Sequence, residues 1–271
     1  MTAAPRRAAR FDGPGQNRSL ERGLEILRAF RPGTDLLGNG ELAERTGLSP
    51  ATISRLTQTL VAAGFLEHDA GARAYRLAAP VLSLGHAMRA ASPVLQAAMP
   101  LMHEASARLK VNVGLASPDR GDMIYLESIR HHRKTTLRTV VAGQRVPIEL
   151  TSLGRAYLGT LDGAARRHLL AALRATHRPA AWRAIAAGVR TALVNLAREG
   201  FCWASWQPNV LALAAPLAPM PGIAHAMALN FSLPFDPAAG EAQPLAAALA
   251  PALLALRDRI QQALQGRADA R

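Results

Sequence analysis

The chain has 271 residues, 49% of them hydrophobic, with 32 Lys and Arg against 19 Asp and Glu, a net charge of +13. That length predicts two domains, one of them small, and that apolar fraction excludes wholesale disorder. A basic surface implies anionic partners, with nucleic acid ahead of an anionic membrane surface or acidic small molecules.

Residues 1–16 read as a disordered basic tail without an apolar period. From Ser19, taken as the N-cap, Leu20, Leu24 and Leu27 recur at helical spacing with Ile26 and Phe30 until Arg31-Pro32-Gly33. A short helix follows from Gly40 to Thr46 and ends at Gly47, a left-handed C-terminal position. Ser49-Pro50 supplies an N-cap and a first-turn proline for a third helix, with Ile53, Leu56 and Leu60 on one stripe and Gly64 as the stop. Phe65–Asp69 and Ala74–Leu77 read as a hairpin. Residues 80–92 predict a linker helix, and Pro93 interrupts the next helical pattern, which runs to Lys110. The period then changes to two. Strands are expected at Val111–Leu115, Met123–Glu127 and Leu137–Val141, with Pro118-Asp119-Arg120-Gly121 as a turn. Helices follow at Thr151–Leu161, Ala164–Arg174 and Trp182–Glu199, then strands at Phe201–Trp206, Val210–Leu217 and Ile223–Ser232, and a helix from Pro244 to Gln265. This irregular mixture predicts an α+β domain over residues 93–271 behind an N-terminal domain of residues 17–79.

The N-terminal spacing carries the functional argument. A helix-turn-helix needs a small residue where its helices cross, a turn glycine and apolar residues holding the second helix on the first. Ala43, Gly47, Ile53 and Leu56 supply these, with Leu42 and Leu48 completing the set. The second helix then presents Ser49, Thr52, Ser54, Arg55 and Gln58 to the major groove, while Arg73 at the hairpin tip reaches a flanking groove and Arg18 adds a basic contact. The unit is a winged helix-turn-helix. The single cysteine, Cys202, excludes intramolecular disulfides and Cys-rich zinc modules and fits a reducing, cytoplasmic compartment. Val210 to Pro221, the longest apolar stretch, is too short and too Pro-broken to span a bilayer. Neither cofactor nor metal site is expected: the run Arg130-His131-His132-Arg133-Lys134 is a solvated loop, and no nucleophile elbow or phosphate-cradling glycine loop occurs.

These motifs resemble the IclR family of bacterial transcriptional regulators. The resemblance rests on Ser19-Leu20-Glu21-Arg22-Gly23-Leu24, Leu42-Ala43 through Gly47-Leu48-Ser49-Pro50-Ala51-Thr52-Ile53-Ser54-Arg55-Leu56, and Gly64-Phe65-Leu66 with Tyr75-Arg76-Leu77. In the second domain it rests on Val146-Pro147, Thr151-Ser152-Leu153-Gly154-Arg155-Ala156, Arg198-Glu199-Gly200-Phe201 and Leu213-Ala214-Ala215-Pro216. It implies a GAF-like effector-binding domain, a homodimer assembled partly through the DNA-binding domains, and often a homotetramer on double-stranded operator DNA. It also implies an effector cavity between the sheet and the Thr151 helix, with Thr139, Val146, Ser152, Leu153 and Gly154, and Ala212, Asn230 and Ser232 on facing strands. Two departures stand out. Pro50-Ala51 replaces the usual polar pair, so operator preference does not transfer. The stretch Cys202–Asn209 lacks the family's acidic run and brings Trp203 and Trp206, which favours an anionic or aromatic ligand. One of Arg138, Arg145 and Arg155 is expected to pair with an effector carboxylate.

The expected function is a ligand-responsive, sequence-specific regulator of a catabolic operon, sensing a small organic acid. The rivals are an architectural DNA-binder without an effector and an enzyme working in the C-terminal domain, for which no acid/base pair is visible. The charge distribution leaves one question open: residues 131–200 hold +9 and residues 1–80 only +3. The excess serves the ligand, a second DNA contact or solubility.

Overall fold

The computed structural model describes residues 17–131, 140–219, 225–238 and 241–269. Two compact units result, one ending at Ala91 and the other beginning at Ser92.

The first unit consists of α1 (Arg18–Ala29), β1 (Leu37–Gly38), α2 (Asn39–Thr46), α3 (Pro50–Ala62), β2 (Leu66–Asp69), β3 (Ala74–Leu77) and α4 (Ala79–Ala91). Asn17, and not Ser19, caps α1: its Oδ1 accepts the amides of Ser19 and Leu20 at 3.0 and 3.1 Å. Asn is among the strongest N-caps, and placing it there draws Arg18 and Ser19 into the helix. Gly47 ends α2 with φ 69°, the left-handed conformation a β-carbon disfavours. Ile26, Leu37, Leu42, Ile53 and Leu66 form the centre of this core. Strand β1, only two residues long, pairs with β3, giving the sheet order β1-β3-β2. Helix α4 buries no residue at all.

The second unit opens with α5 (Pro93–Leu109), in which Pro93 does not break the pattern but sits in the first turn behind the Ser92 cap. Next come β4 (Asn112–Asp119), β5 (Asp122–Ile129), β6 (Arg145–Pro147), α6 (Ser152–Thr160), α7 (Gly163–Arg174), α8 (Pro179–Glu199), β7 (Cys202–Ala204), β8 (Val210–Leu217), β9 (Met227–Pro234) and α9 (Ala242–Asp269). The strands form one antiparallel sheet in the order β6-β5-β4-β9-β8-β7. Alternation divides its side chains between two cores. Val113, Leu115, Leu213, Leu229 and Phe231 pack with α5 and α9. Ala116, Cys202, Ala214 and Ala228 pack with α6, α7 and α8. The result is a sheet between two helical layers, an α+β unit.

Strands β4 and β5 run further than the expected turn allows. Pro118 belongs to β4 because the pairing with β9 stops at Ala116, so a missing amide hydrogen there breaks no ladder on that side. The turn shrinks to Arg120-Gly121, with Arg120 at φ 57°. Residues 137–139 of the expected third strand, with Arg138 and Thr139, lie outside the described residues, as do residues 1–16 and Ile223. The strand pairing with the outer side of β5 is β6, through Val146 opposite Met123.

Candidate functional site

Helix α3 starts on a working cap: Ser49 Oγ accepts the Thr52 amide at 3.4 Å and lies 2.9 Å from Thr52 Oγ1. Both hydroxyls are thus engaged within the helix start, and a DNA contact by either competes with the cap. Ser54 is half-buried. Arg55 and Gln58 are exposed, and their side chains have no partner among the described residues. Arg18 and Arg73 are also exposed. Arg73 adopts φ 50° at the hairpin tip, where the Ala72 amide donates to Asp69 Oδ1 at 2.9 Å and, with Arg76 beside it, holds the Asp69 carboxyl below its usual range.

The second unit contains a small, open pocket on the α6–α8 side of the sheet. Its polar lining is Asn112, Ser128, Arg130, Gln207, Asn230 and Ser232. Register explains the grouping: Asn112 lies opposite Ser232, and Gly114 lies between Asn230 and Ser128 on its two neighbouring strands. Gly114 is required here, since a β-carbon would stand 2.5 Å from both Asn230 Oδ1 and Tyr125 Cε1. Burial pushes the Tyr125 hydroxyl far above its ordinary pKa, opposed by a side-chain hydrogen bond with Asn230. Asn230 itself is 3% exposed, and its Oδ1 accepts no hydrogen bond among the described residues. An unpaired buried carbonyl costs about 1–3 kcal/mol, so this atom calls for a donor.

Of the eight expected effector residues, the pocket brings together Asn230 and Ser232. Ala212 is paired with Ser232 but lies outside the lining, and Thr139 is not described. Val146 and Leu153 are buried in the α6–α8 core, and the Ser152 carbonyl accepts from Cys202 Sγ at 3.4 Å. Gly154 faces the Ile148 backbone, and its amide donates to Thr151 Oγ1 at 3.1 Å. Trp203 packs on the α5/α9 core and Trp206 on the other, so neither indole lines the pocket; that segment contributes Gln207. Arg145 is held by Asp119 at 2.6 Å and Asp122 at 3.1 Å. Arg155 donates to the Glu149 carbonyl at 3.1 Å and presses on Gly188 of α8. Neither enters the pocket; among the described residues the arginine that does is Arg130, the first of the basic run 130–134.

Residues 19–70 match the IclR helix-turn-helix domain, and residues 86–217 match the bacterial transcriptional regulator IclR C-terminal domain. A solved IclR family transcriptional regulator from Brucella abortus superposes with TM-score 0.81 at 32% identity, covering 92% of this chain and 93% of that one. The chain belongs to the IclR family. An IclR homologue from Microbacterium hydrocarbonoxydans, solved with 4-hydroxybenzoate, shares the fold at TM-score 0.66 and 22% identity, over 92% of this chain and 99% of its own. HTH-type transcriptional regulator TsaQ1/TsaQ2 of Comamonas testosteroni is 37% identical over 163 residues, 60% of this chain; the match spans 58% of the relative's length.

Within this IclR fold Cys202 is a packing residue. It is fully buried, and burial pushes its thiol up to about 12 despite nearby Arg155. The reactive species is the thiolate, so at pH 8 the native protein is expected to resist iodoacetamide and to react only once unfolded. Peptide mass mapping with and without urea checks this; stoichiometric labelling of the folded chain contradicts it. Among the described residues no group of three His, Cys, Asp or Glu gathers to hold a metal, and no helix is long and apolar enough to cross a membrane.

Proposed function

We propose that this IclR-family protein is a cytoplasmic, ligand-responsive regulator that binds double-stranded operator DNA in sequence-specific fashion, and that it is not an enzyme. The reading is carried by α3, a capped helix packed through Ile53 and Leu56 that leaves Arg55 and Gln58 free on its outer face. That is the equipment for reading base edges in a major groove. A second copy of the chain is the natural cover for the apolar side chains left open on the first unit: Leu20 and Leu24 on α1, and Leu82, Leu84 and Met88 on α4, of which Leu82 is 79% exposed. A dimer, or a tetramer built from it, presents two α3 helices to a two-fold site.

The effector is a small organic acid of a catabolic pathway. Arg130 supplies a cation at the pocket, and Asn230 Oδ1 accepts a hydroxyl from the ligand. The 4-hydroxybenzoate held by the Microbacterium homologue has this combination of groups. Titrating the full chain with 4-hydroxybenzoate and with benzoate, read by tryptophan fluorescence and by DNA affinity, tests the reading. The hydroxylated acid is expected to bind roughly 5- to 150-fold tighter, because benzoate leaves Oδ1 unpaired at a cost of ~1–3 kcal/mol. Asn230→Leu removes that preference. Equal binding of both acids, unchanged in Asn230→Leu, would remove Asn230 from the site.

A further inference from the structure

The basic excess of residues 131–200 finds a place on the second unit that is not the pocket. Between Asp162 and Glu199 there is no acidic residue, while Arg167, Arg174, Arg178, Arg183, Arg190 and Arg198 are all exposed. None of the six lines the pocket. The side chains of Arg174, Arg178, Arg183, Arg190 and Arg198 make no hydrogen bond or ion pair among the described residues. Arg167 and Arg174 are seven residues apart on α7, and Arg183 and Arg190 seven apart on α8, so each pair stands on one helix face, about 10 Å apart along the axis.

The opposite helical layer is built differently. On α5 and α9, Glu104 takes Arg259 in a two-pronged pair at 2.8 and 3.1 Å, and Asp258 takes Arg257. Two of the arginines there are thus paired with carboxylates. On α7 and α8 the exposed arginines lie between the terminal acids Asp162 and Glu199 with no acid among them, an excess that an external polyanion would answer.

We propose that the exposed face of α7 and α8 is a second, sequence-independent contact surface for duplex DNA. Arginine forks suit phosphate oxygens, which they engage bidentately. Exposed Ala180, Ala184 and Ala187 leave room for a phosphate backbone beside Arg183, and Val194, the large apolar side chain most open on α8, gives too little apolar surface for insertion into lipid. Duplex is also the polyanion at hand. The helix-turn-helix unit is joined directly to this one at Ala91–Ser92, so any DNA held by the first unit is present at high effective concentration to the second.

The test uses the full chain and a fluorescein-labelled duplex of random sequence, with affinity measured across a salt series. The variant Arg174→Glu/Arg183→Glu/Arg190→Glu is compared with a control of equal charge change on the opposite layer, Arg108→Glu/Lys110→Glu/Arg267→Glu. Each lost phosphate contact lowers the slope of log K against log salt by about 0.9, so the α7/α8 variant is expected to lose roughly 3 from the slope per protomer engaged. The control leaves the slope nearly unchanged. Equal losses in the two variants assign the effect to net charge and overturn the proposal. An unchanged slope in the α7/α8 variant overturns it too, while leaving α3 as the DNA reader. A shift in sedimentation without DNA, with the slope unchanged, makes the face a contact between copies and also overturns it. Absence of DNA binding by the parent chain overturns this proposal together with the function proposed above.

Discussion

Replacing Gly154 by alanine is expected to destabilise the second unit by about 3 kcal/mol, which lowers its melting temperature by roughly 6–12 °C. The β-carbon would sit 2.2 Å from the Cα and carbonyl oxygen of Ile148 and 2.5 Å from its carbonyl carbon. These are backbone atoms, so no rotamer relieves the overlap. The segment that must move joins β6 to α6 and carries buried Glu149, whose Oε1 lies 2.8 Å from His177 Nε2, and the Thr151 cap. Gly159, five residues on in the same helix, gives the contrast. Its β-carbon would meet the end of the Leu196 side chain at 2.9 Å, a flexible neighbour. Alanine gains helix propensity of up to ~1 kcal/mol over glycine, so Gly159→Ala is expected to change stability by no more than about 1 kcal/mol. All three tryptophans, Trp182, Trp203 and Trp206, lie in the second unit, so fluorescence melts report on it alone. A Gly154→Ala melt within a degree or two of the parent would contradict the close approach.

Replacing Arg55 and Gln58 together by alanine abolishes sequence preference while leaving the fold intact. Both side chains are exposed and without partners among the described residues, so no packing or ion pair is lost. A good bidentate contact to a base is worth ~1–3 kcal/mol, and a two-fold site counts it twice. In the proposed dimer, loss of Arg55 from both copies is therefore expected to cost roughly 2–6 kcal/mol, at least about 30-fold in Kd. Binding to random-sequence duplex persists, since phosphate contacts set it. Competition between specific and random duplex, measured for the parent and the double variant, reads the ratio directly. A ratio unchanged by the double substitution moves base readout to another element.

Local chemistry made the first unit legible. Ser49-Pro50, Gly47 and Gly64 act on their immediate neighbours, so helix ends could be read one residue at a time. Strands β1 and β6, two and three residues long, are too short to show a period, and only their partners β3 and β5 define them. The pocket divides along the same line. Asn230 and Ser232 stood out as polar residues on one face of an apolar strand, and they do line it. The α6 motif did not come with them, because a sequence shows that Gly154 lacks a side chain and not that Ile148 occupies the space. Asn112, Gly114 and Ser128 became visible only through strand register, although a glycine inside an apolar strand already signals a close approach. Arg145 looked available for a ligand because Asp119 and Asp122, which hold it, are more than twenty residues away in the chain.

The central claim is that α3 reads a defined DNA site. Footprinting the full chain on the DNA upstream of its own gene tests it most directly. The account predicts a discrete protected site with two related halves about one helical turn, ~34 Å, or a multiple apart, lost when Arg55 and Gln58 are both alanine. Protection that is absent, or spread evenly along the fragment and indifferent to those two residues, would contradict it.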